Sequence, residues 1–258
     1  MPNNNLDNAG AQLQKLGIDP KYLPKLLAYA KELNMFNKAY DLVGADNIED
    51  IFYKHILDSL APYARIKELV EKLGAAGAES AIVQAADVGS GGGLPGIPLA
   101  IVFENVHFTL IERMSKRCAF LENCKLLLGL SNVDILNTEA EKAPKKTFDL
   151  VVFRAFRPLD EAMTKTLLAL PKDTGLLAAY KAKKSKIEEE MKNILALVPK
   201  WLALKIEAPF LGDGKEERER HLVLIAHNTA AFHLTKNQHY CIKMQLCCKS
   251  HIIQKRLL

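Results

Sequence analysis

Long hydrophobic runs are missing from this 258-residue sequence, so we expect no segment of it to span a membrane. The first ten residues, MPNNNLDNAG, also lack the basic and apolar regions of a secretory signal peptide. The five cysteines stand at irregular spacings, which is not the pattern of a disulfide framework. Together these absences predict a cytoplasmic protein rather than a secreted or membrane-bound one.

An excess of charge of either sign is missing from most of the chain. The formal net charge is +5, and residues 229–258 supply all of it, because they contain five lysine and arginine side chains and no acidic one. Elsewhere, the other 30 of the 35 basic side chains balance the 30 acidic ones. A nucleic-acid contact would therefore need a local basic patch rather than a globally basic surface.

The N-terminal part of the chain is predicted to be helical. Apolar residues at helical spacing predict helices over 20–36 and 47–66. The glycine- and alanine-rich stretch 71–80 then predicts a linker. We therefore predict a helical extension over residues 1–72, followed by a separate main domain.

From residue 80 onwards, short apolar strands alternate with helices. Strands are predicted over 81–88, 106–112, 132–137, 148–155 and 175–182, and helices near 95–104, 115–128, 159–170 and 184–197. In the second of these helices, Ser115 is the predicted N-cap and Gly129 the predicted end. The alternation predicts parallel strands joined by right-handed crossovers, which is a doubly wound, Rossmann-like sheet.

Two further strand-like runs, 201–210 and 221–228, have no helix between them. They predict a closing hairpin whose last strand runs antiparallel to the others. The fold class is thus α/β, with a mainly parallel seven-stranded sheet over residues 80–228. Residues 229–258 contain three of the five cysteines and three of the seven histidines, at spacings that match no common zinc site. We predict no metal site there and a poorly structured extension.

A glycine-rich loop, ADVGSGGGLPGIP at residues 86–98, follows the first predicted strand. Such a loop lets a ligand approach the backbone at the N-terminus of a helix. Residues 91–96 match the dinucleotide pattern G-x-G-x-x-G, and the loop equally matches an acid-x-G-x-G-x-G pattern that starts at Asp87. A carboxylate at this entrance repels a pyrophosphate and favours the cationic amino-acid end of S-adenosylmethionine (SAM).

Glu112, at the end of the second predicted strand, can accept hydrogen bonds from both hydroxyls of a ribose. Dinucleotides and SAM both contain this sugar, so Glu112 indicates a nucleoside without choosing between them. The stretch TEAE at 138–141 follows the third strand, at the edge of the sheet where an adenine would lie.

Six segments of the chain resemble the RsmG/GidB family, bacterial SAM-dependent methyltransferases that act on N7 of a guanine in 16S ribosomal RNA. They are NKAYDLV (37–43), HILDSL (55–60), DVGSGGGLPGIPLAI (87–101), HFTLIE (107–112), FDLVVFRAF (148–156) and RHLVLI (220–225). The resemblance extends from about residue 20 to residue 228, and the pattern GxGLPGIPL after a strand acid is specific to that family. Gly92 departs from some relatives, which carry proline at this position. It implies a Rossmann-like methyltransferase fold with a helical N-terminal extension.

The resemblance also implies a site. Carrying the family's cofactor contacts onto matching positions implicates Gly89, Leu94, Ala140, Glu141 and Arg154. The general chemistry of SAM-binding loops adds Asp87, Gly91 and Glu112. The implied cofactor is SAM, with S-adenosylhomocysteine as its product, and the implied partner is 16S rRNA, the small ribosomal subunit or an assembly intermediate. We expect the protein to be a monomer.

Methylation at N7 of guanine requires no proton transfer, because this nitrogen carries an in-plane lone pair and no proton. We therefore nominate no catalytic acid or base and expect the enzyme to act by alignment and by exclusion of water. A methyltransferase acting on a small molecule or a protein remains an alternative. A nucleotide-binding oxidoreductase or regulatory module is a third possibility.

Substrate-contact candidates flank the loop and the fourth strand. Arg154 ends that strand, and Arg157 follows it, so either could hold a base or a phosphate. His55 and Asp58 are three residues apart on one helix face, although His55 also fits a packing role. Phe153 and Phe156 fit the core better than a stacking role. The lysine-rich stretches 142–146 and 181–186 could contact RNA phosphates or form ordinary solvated surface. For 181–186, which includes Lys181 and Lys183, the two interpretations fit equally well.

Overall fold

A seven-stranded sheet forms the centre of the computed structural model, which describes residues 6–76, 82–198, 200–211 and 219–226. The strands are β1 (Val83–Val88), β2 (Val106–Glu112), β3 (Val133–Asn137), β4 (Phe148–Arg154), β5 (Pro171–Lys181), β6 (Trp201–Ile206) and β7 (Arg220–Ala226). They lie side by side in the order β3-β2-β1-β4-β5-β7-β6. The chain thus moves outward from β1 in one direction and then returns to build the other half of the sheet.

The pairing of the strands confirms the predicted fold class. Strands β1 to β5 pair in parallel, whereas β7 lies between β5 and β6 and is antiparallel to both. Strands β1 and β4 are buried along nearly their whole length, as expected for parallel strands covered on both faces. The closing hairpin and its inserted antiparallel strand are therefore confirmed.

Helices flank the sheet and precede it. The α-helices of the described residues are α1 (Ala9–Lys15), α2 (Leu23–Tyr40), α3 (Ile48–Ile51), α4 (Asp58–Leu60), α5 (Tyr63–Ala76), α6 (Gly96–Val102), α7 (Ser115–Leu128), α8 (Glu161–Leu168) and α9 (Lys184–Asn193). A π-helical segment, Phe52–Leu57, joins α3 to α4, and short 3-10 helices occur at Leu6–Asn8, Pro20–Tyr22, Ala140–Lys142 and Pro209–Leu211. None of the helices in these ranges is both long and apolar enough to cross a bilayer.

Two boundaries in the N-terminal part differ from the prediction. The single helix predicted over 47–66 is wrong, because the helical path stops after Leu60 and α5 begins at Tyr63. Pro62 lies at this break, where a ring that lacks an N–H group cannot continue the helical hydrogen bonds. The predicted linker over 71–80 is also wrong in its first half, because α5 continues to Ala76. Residues 77–81 lie outside the described residues.

The prediction for α7 is wrong at the N-terminal end of the helix and confirmed at its C-terminal end. Ser115 is not the N-cap, since Met114 occupies that position and the Ser115 hydroxyl lies 3.0 Å from Asn137 Oδ1. Gly129 ends the helix in a left-handed conformation with φ +59°, as predicted. A tertiary hydrogen bond has replaced the local cap, which sequence spacing alone does not reveal.

Each face of the sheet carries its own apolar cluster. One cluster combines side chains from the N-terminal helices with β1, β2, α6 and α7, and includes Leu33, Phe52 and Leu110. The other includes Val151, Leu167 and Ile187 and lies under α8 and α9. The N-terminal helices thus share a core with the sheet. The division into residues 1–72 and 80–228 stays a prediction, and the tail over 229–258 lies outside the described residues.

Candidate functional site

A cavity of about 770 Å³ lies where the loops after β1, β4 and β5 meet the N-terminal helices. The carboxyl ends of parallel strands meet at one edge of a sheet, which is where open α/β sheets bind ligands. Eight of the residues predicted to bind cofactor or substrate line this cavity: His55, Asp58, Gly89, Gly91, Leu94, Arg154, Arg157 and Lys181. The structure therefore brings together residues that are up to 126 positions apart in the chain.

The other predicted site residues do not line the cavity. Asp87 and Glu112 are buried beside the glycine-rich loop. Ala140 and Glu141 belong to the 3-10 helix after β3, and Lys183 is exposed just before α9. The contacts of these five residues with a ligand stay predictions.

Three glycines of the loop leave room for the protein's own side chains rather than for a ligand. A Cβ atom on Gly89 would lie 2.3 Å from the ring of Phe156, one on Gly93 would lie 2.7 Å from Ile97, and one on Gly96 would lie 2.4 Å from Leu110. Gly91 is different, because the nearest heavy atom to its Cβ would be 3.9 Å away. With φ +57°, Gly91 also adopts a conformation that favours glycine. This residue marks the open side of the loop.

Six backbone N–H groups of the loop are already hydrogen-bonded within the protein. Protein oxygen atoms accept hydrogen bonds from the N–H groups of Gly89, Ser90, Gly91, Gly93, Leu94 and Gly96. Two of the acceptors are carboxylates: Glu112 Oε2 lies 2.9 Å from Gly91 N, and Asp87 Oδ2 lies 2.9 Å from Gly96 N. A dinucleotide-binding loop offers such groups to a pyrophosphate. Here they are occupied, and the two carboxylates would repel the phosphates.

Asp87 has one oxygen without a partner. Its side chain is completely buried, and within the described residues Oδ1 accepts no hydrogen bond. Burial raises the pKa of Asp87 to about 7, although the Gly96 N–H group and the charge of Arg154 act in the opposite direction. A buried carboxyl group with an unused oxygen beside a ligand loop fits a cationic ligand better than an anionic one.

The raised pKa of Asp87 predicts a pH dependence of stability. Below about pH 4 this carboxyl group is protonated in both the folded and the unfolded chain, whereas between pH 4 and 7 only the folded chain retains the proton. The wild-type protein should therefore lose stability as the pH rises through this window. Because asparagine does not titrate, we expect the free energy of unfolding of Asp87→Asn to gain about 3 kcal/mol relative to wild type between pH 5 and 8.

Urea unfolding at several pH values measures this difference, and the contributions of other titrating groups cancel in it. Asp173→Asn serves as the matched control, since the Asp173 side chain is 70% exposed and pairs with Lys146 at the surface. Its unfolding curve should run parallel to that of the wild type from pH 5 to 8. A parallel curve for Asp87→Asn as well would contradict the raised pKa.

Asp58 connects the N-terminal helices to two strands through arginines. One carboxylate oxygen accepts a hydrogen bond from Arg154 Nη1 at 3.0 Å, and the other accepts one from Arg220 Nε at 2.7 Å. The Asp58, Arg154 and Arg220 side chains are 9%, 15% and 26% exposed. Asp58 lines the cavity as the sequence suggested, but both of its oxygens hold arginines. Sequence reasoning assigned no role to Arg220, because only the antiparallel insertion of β7 brings it to the site.

His55 and the two phenylalanines also lie at this wall. His55 Nε2 is buried without a hydrogen-bond partner in the described residues. Burial and the charge of Arg154 lower the pKa of His55, so the ring is neutral at neutral pH. Phe153 is a buried core residue, as predicted. Phe156 is half-buried and its ring covers Gly89.

The segment after α2 forms a wall of the cavity that sequence reasoning did not identify. The Asn37 side chain accepts hydrogen bonds from Leu42 N and Val43 N and donates to the carbonyl groups of Val43 and Ala45. The buried Tyr29 hydroxyl donates to the Gly92 carbonyl. The N-terminal helices thus hold the outer side of the glycine-rich loop in place. The motif NKAYDLV was the available signal, but no local pattern shows that Asn37 organises a turn.

The lysine-rich stretches are largely neutralised by neighbouring acids. Ion pairs join Lys181 to Glu190, Lys184 to Glu188, Lys186 to Glu189, Lys142 to Glu139 and Lys146 to Asp173. Within the described residues, Lys183 has no acidic partner. This pairing favours the solvated-surface interpretation for most of these lysines, and their contact with RNA stays a prediction.

Comparisons with known proteins match most of the chain. The family model GidB, described as rRNA small subunit methyltransferase G, matches residues 22–223. The ribosomal RNA small subunit methyltransferase G of Treponema denticola is 42% identical over 236 residues, which cover 83% of this chain and 91% of that protein. The protein of the same name from Shigella flexneri is 35% identical over 211 residues, or 79% of this chain and 88% of that protein.

Among solved structures, human methyltransferase 10 domain containing protein superposes with a TM-score of 0.51 at 10% identity. The superposition covers 78% of this chain and 98% of that chain. At this level of identity the likeness concerns the fold alone, and it agrees with the sheet order described above.

Proposed function

Because this chain belongs to the rRNA small subunit methyltransferase G family, we propose that it transfers a methyl group from SAM to N7 of a guanine in 16S ribosomal RNA. The family membership supports the reaction class and the RNA substrate. The assignment of SAM as cofactor is our proposal and rests on the site. The assignment of N7 as the methylated atom is also our proposal, and it rests on the resemblance of the sequence to the RsmG/GidB family.

The observation that carries the choice of cofactor is the state of the glycine-rich loop. Six of its N–H groups already donate within the protein, and two of these donate to the buried carboxylates Asp87 and Glu112. Among Gly89, Gly91 and Gly96, only Gly91 has both an unobstructed Cβ position and a left-handed backbone conformation. This arrangement supports a ligand that carries positive charge and no phosphate, which is true of SAM and not of a dinucleotide.

The residues of the site fit such a cofactor in three ways. The unpaired oxygen of Asp87 is available beneath the loop. Glu112 uses each oxygen once, for Gly91 N and Met114 N, so each retains a lone pair for a ribose hydroxyl. Ala140 and Glu141 follow β3, at the edge expected for an adenine. We propose these residues as the cofactor contacts, together with Gly89, Gly91, Leu94 and Arg154.

The proposed chemistry needs alignment rather than proton transfer. When bound, SAM supplies a methyl group attached to a positively charged sulfur. The lone pair of N7 forms the new N–C bond while the S–C bond breaks, so the positive charge moves to the guanine and no proton is lost. The proposed role of the chain is to hold the base in line and exclude water. The position of Arg154 on the cavity wall and its ion pair with Asp58 support a role for this side chain in holding the base.

The accessible target is a guanine outside a regular helix. In A-form RNA, N7 faces a deep and narrow groove that protein side chains do not enter. We therefore propose a loop of the rRNA or a partly assembled small subunit as the substrate. Arg157, whose side chain is 54% exposed at the cavity, is the proposed phosphate contact.

Methylation of small ribosomal subunits from a strain that lacks the gene tests this proposal. The full chain and methyl-labelled SAM should introduce one 7-methylguanosine per subunit, identified by nucleoside mass spectrometry. Subunits from the parent strain are the matched control and should accept no label, because the position is already methylated.

Other outcomes would contradict parts of the proposal. Label in another nucleoside would refute the N7 assignment while leaving rRNA methylation intact. SAM binding without any rRNA labelling would favour a small-molecule or protein substrate. Tight binding of NAD without binding of SAM would overturn the cofactor assignment.

A further inference from the structure

The cationic side chains of the cavity wall are neutralised with one exception. Six lysine and arginine residues line the cavity: Lys54, Arg117, Arg154, Arg157, Lys181 and Arg220. Five of them form ion pairs: Lys54 with Asp50, Arg154 with Asp58, Arg157 with Glu141, Lys181 with Glu190, and Arg220 with Asp58. Within the part of the chain that the structure describes, Arg117 has no carboxylate partner.

Arg117 is held at the open side of the glycine-rich loop. It lies in the first turn of α7, and its Nη2 donates to the Asp41 carbonyl at 3.2 Å. Its Nη1 would be 4.0 Å from a Cβ atom placed on Gly91. The guanidinium group therefore spans the gap between the segment after α2 and the one loop glycine that faces open space.

The environment of Arg117 leaves both charge and hydrogen-bonding capacity unused. The side chain is half-buried, and within the described residues its Nε is buried without a hydrogen-bond partner. The Asp41 carbonyl is a neutral acceptor, so it does not compensate the positive charge. A partly buried guanidinium group with free donors favours an anion, and a planar carboxylate fits its fork of N–H groups.

The amino-acid end of SAM carries an ammonium group and a carboxylate, which need opposite surroundings. The buried carboxylates Asp87 and Glu112 favour the positive part and repel the negative one. The wall at Gly91 offers the opposite charge through Arg117. We propose that Arg117 binds the carboxylate of the amino-acid end of SAM. This inference rests on the proposed function, since it presumes that SAM is the cofactor.

Ligand binding to the cofactor-free protein tests the inference without any need for turnover. Calorimetric titration compares S-adenosylhomocysteine with its decarboxylated analogue, which retains the adenosine, the sulfur and the amine. Arg117→Gln should weaken binding of S-adenosylhomocysteine about 10- to 100-fold, because a charge-assisted pair is lost. Binding of the decarboxylated analogue should change less than about twofold. Arg117→Lys, which keeps the charge without the fork, should lose less affinity for S-adenosylhomocysteine than Arg117→Gln does.

Lys116→Gln is the matched control, since Lys116 is the exposed neighbour on α7 and does not line the cavity. It should leave both affinities unchanged. Equal losses for both ligands in Arg117→Gln would indicate that Arg117 only braces the loop, and would overturn the proposal. Unchanged binding of both ligands, with weaker and less salt-dependent RNA binding, would assign Arg117 to an RNA phosphate instead and equally overturn it.

Failure of SAM as the proposed cofactor has a different signature, because the wild-type protein would then bind neither S-adenosylhomocysteine nor its analogue. Failure of the proposed RNA substrate alone would leave this binding intact and would show in the labelling of the ribosomal subunits. Failure of the Arg117 assignment alone would leave wild-type binding intact and would show only in the variants.

Discussion

Asp58→Asn is expected to lower the free energy of unfolding by about 3 kcal/mol, because it leaves two partly buried guanidinium groups without a counter-charge. In the wild-type protein each oxygen of Asp58 holds one arginine, Arg154 at 3.0 Å and Arg220 at 2.7 Å. Asparagine retains one acceptor oxygen, but its amide would direct N–H groups at one of the two arginines. Urea unfolding followed by the fluorescence of Trp201, the single tryptophan, measures the loss.

An exposed ion pair provides the control for this prediction. Glu189→Gln removes the partner of Lys186 on α9, where the two side chains are 65% and 76% exposed, and should reduce the free energy of unfolding far less than Asp58→Asn does. The double variant Asp58→Asn, Arg220→Gln should lose less free energy of unfolding than the two single variants lose together. Additive losses would mean that Asp58 and Arg220 do not act as a pair, contrary to the structure.

Gly96→Ala is expected to cost about 3 kcal/mol and to abolish cofactor binding, because the site has no room for a methyl group. The new Cβ would lie 2.4 Å from Leu110, 2.7 Å from Asp87 Oδ2 and 2.9 Å from Asp87 Cβ. Relief of these contacts moves the carboxylate away from Gly96 N, and a buried charge then loses a hydrogen bond. Thermal unfolding and titration with S-adenosylhomocysteine measure the two effects.

Gly10→Ala is the matched control for the loop variant. Gly10 lies within helix α1, and its Cβ would make only an ordinary contact of 3.7 Å with Leu23. Alanine is the better helix former, so this change should raise stability by up to about 1 kcal/mol and leave binding unchanged. If Gly96→Ala behaved like Gly10→Ala, the close packing between the loop, Leu110 and Asp87 would be refuted.

Elements whose signal is a local pattern were predictable from the sequence. The alternation of apolar strands and helices after residue 80 predicted the parallel sheet, and the missing helix between 201–210 and 221–228 predicted the antiparallel hairpin. Gly129 ended its helix as predicted, since the left-handed conformation is a property of the residue itself. Ser115 is not the N-cap that the sequence predicted, because its hydroxyl donates a hydrogen bond to Asn137 at the end of β3.

The chemistry of the loop was predictable only in part. Asp87 at its entrance indicated a ligand without phosphate, and the buried carboxylate supports that interpretation. The glycines themselves were expected to let a ligand approach the backbone of the loop. At Gly89 and Gly96 they instead make room for Phe156 and Leu110, and this contact depends on which side chains the fold brings there.

By itself, the sequence determined the α/β architecture, the position of the glycine-rich loop and the family, because periodicity, turn residues and motifs can be read along the chain. Only the tertiary structure decided how charges pair at the site. Asp58 and Arg220 are 162 positions apart, and Arg117, unlike the other five cations of the cavity, has no carboxylate partner within the described residues. Electrostatic energy depends on distance in space and on burial, and neither quantity can be read from the order of residues.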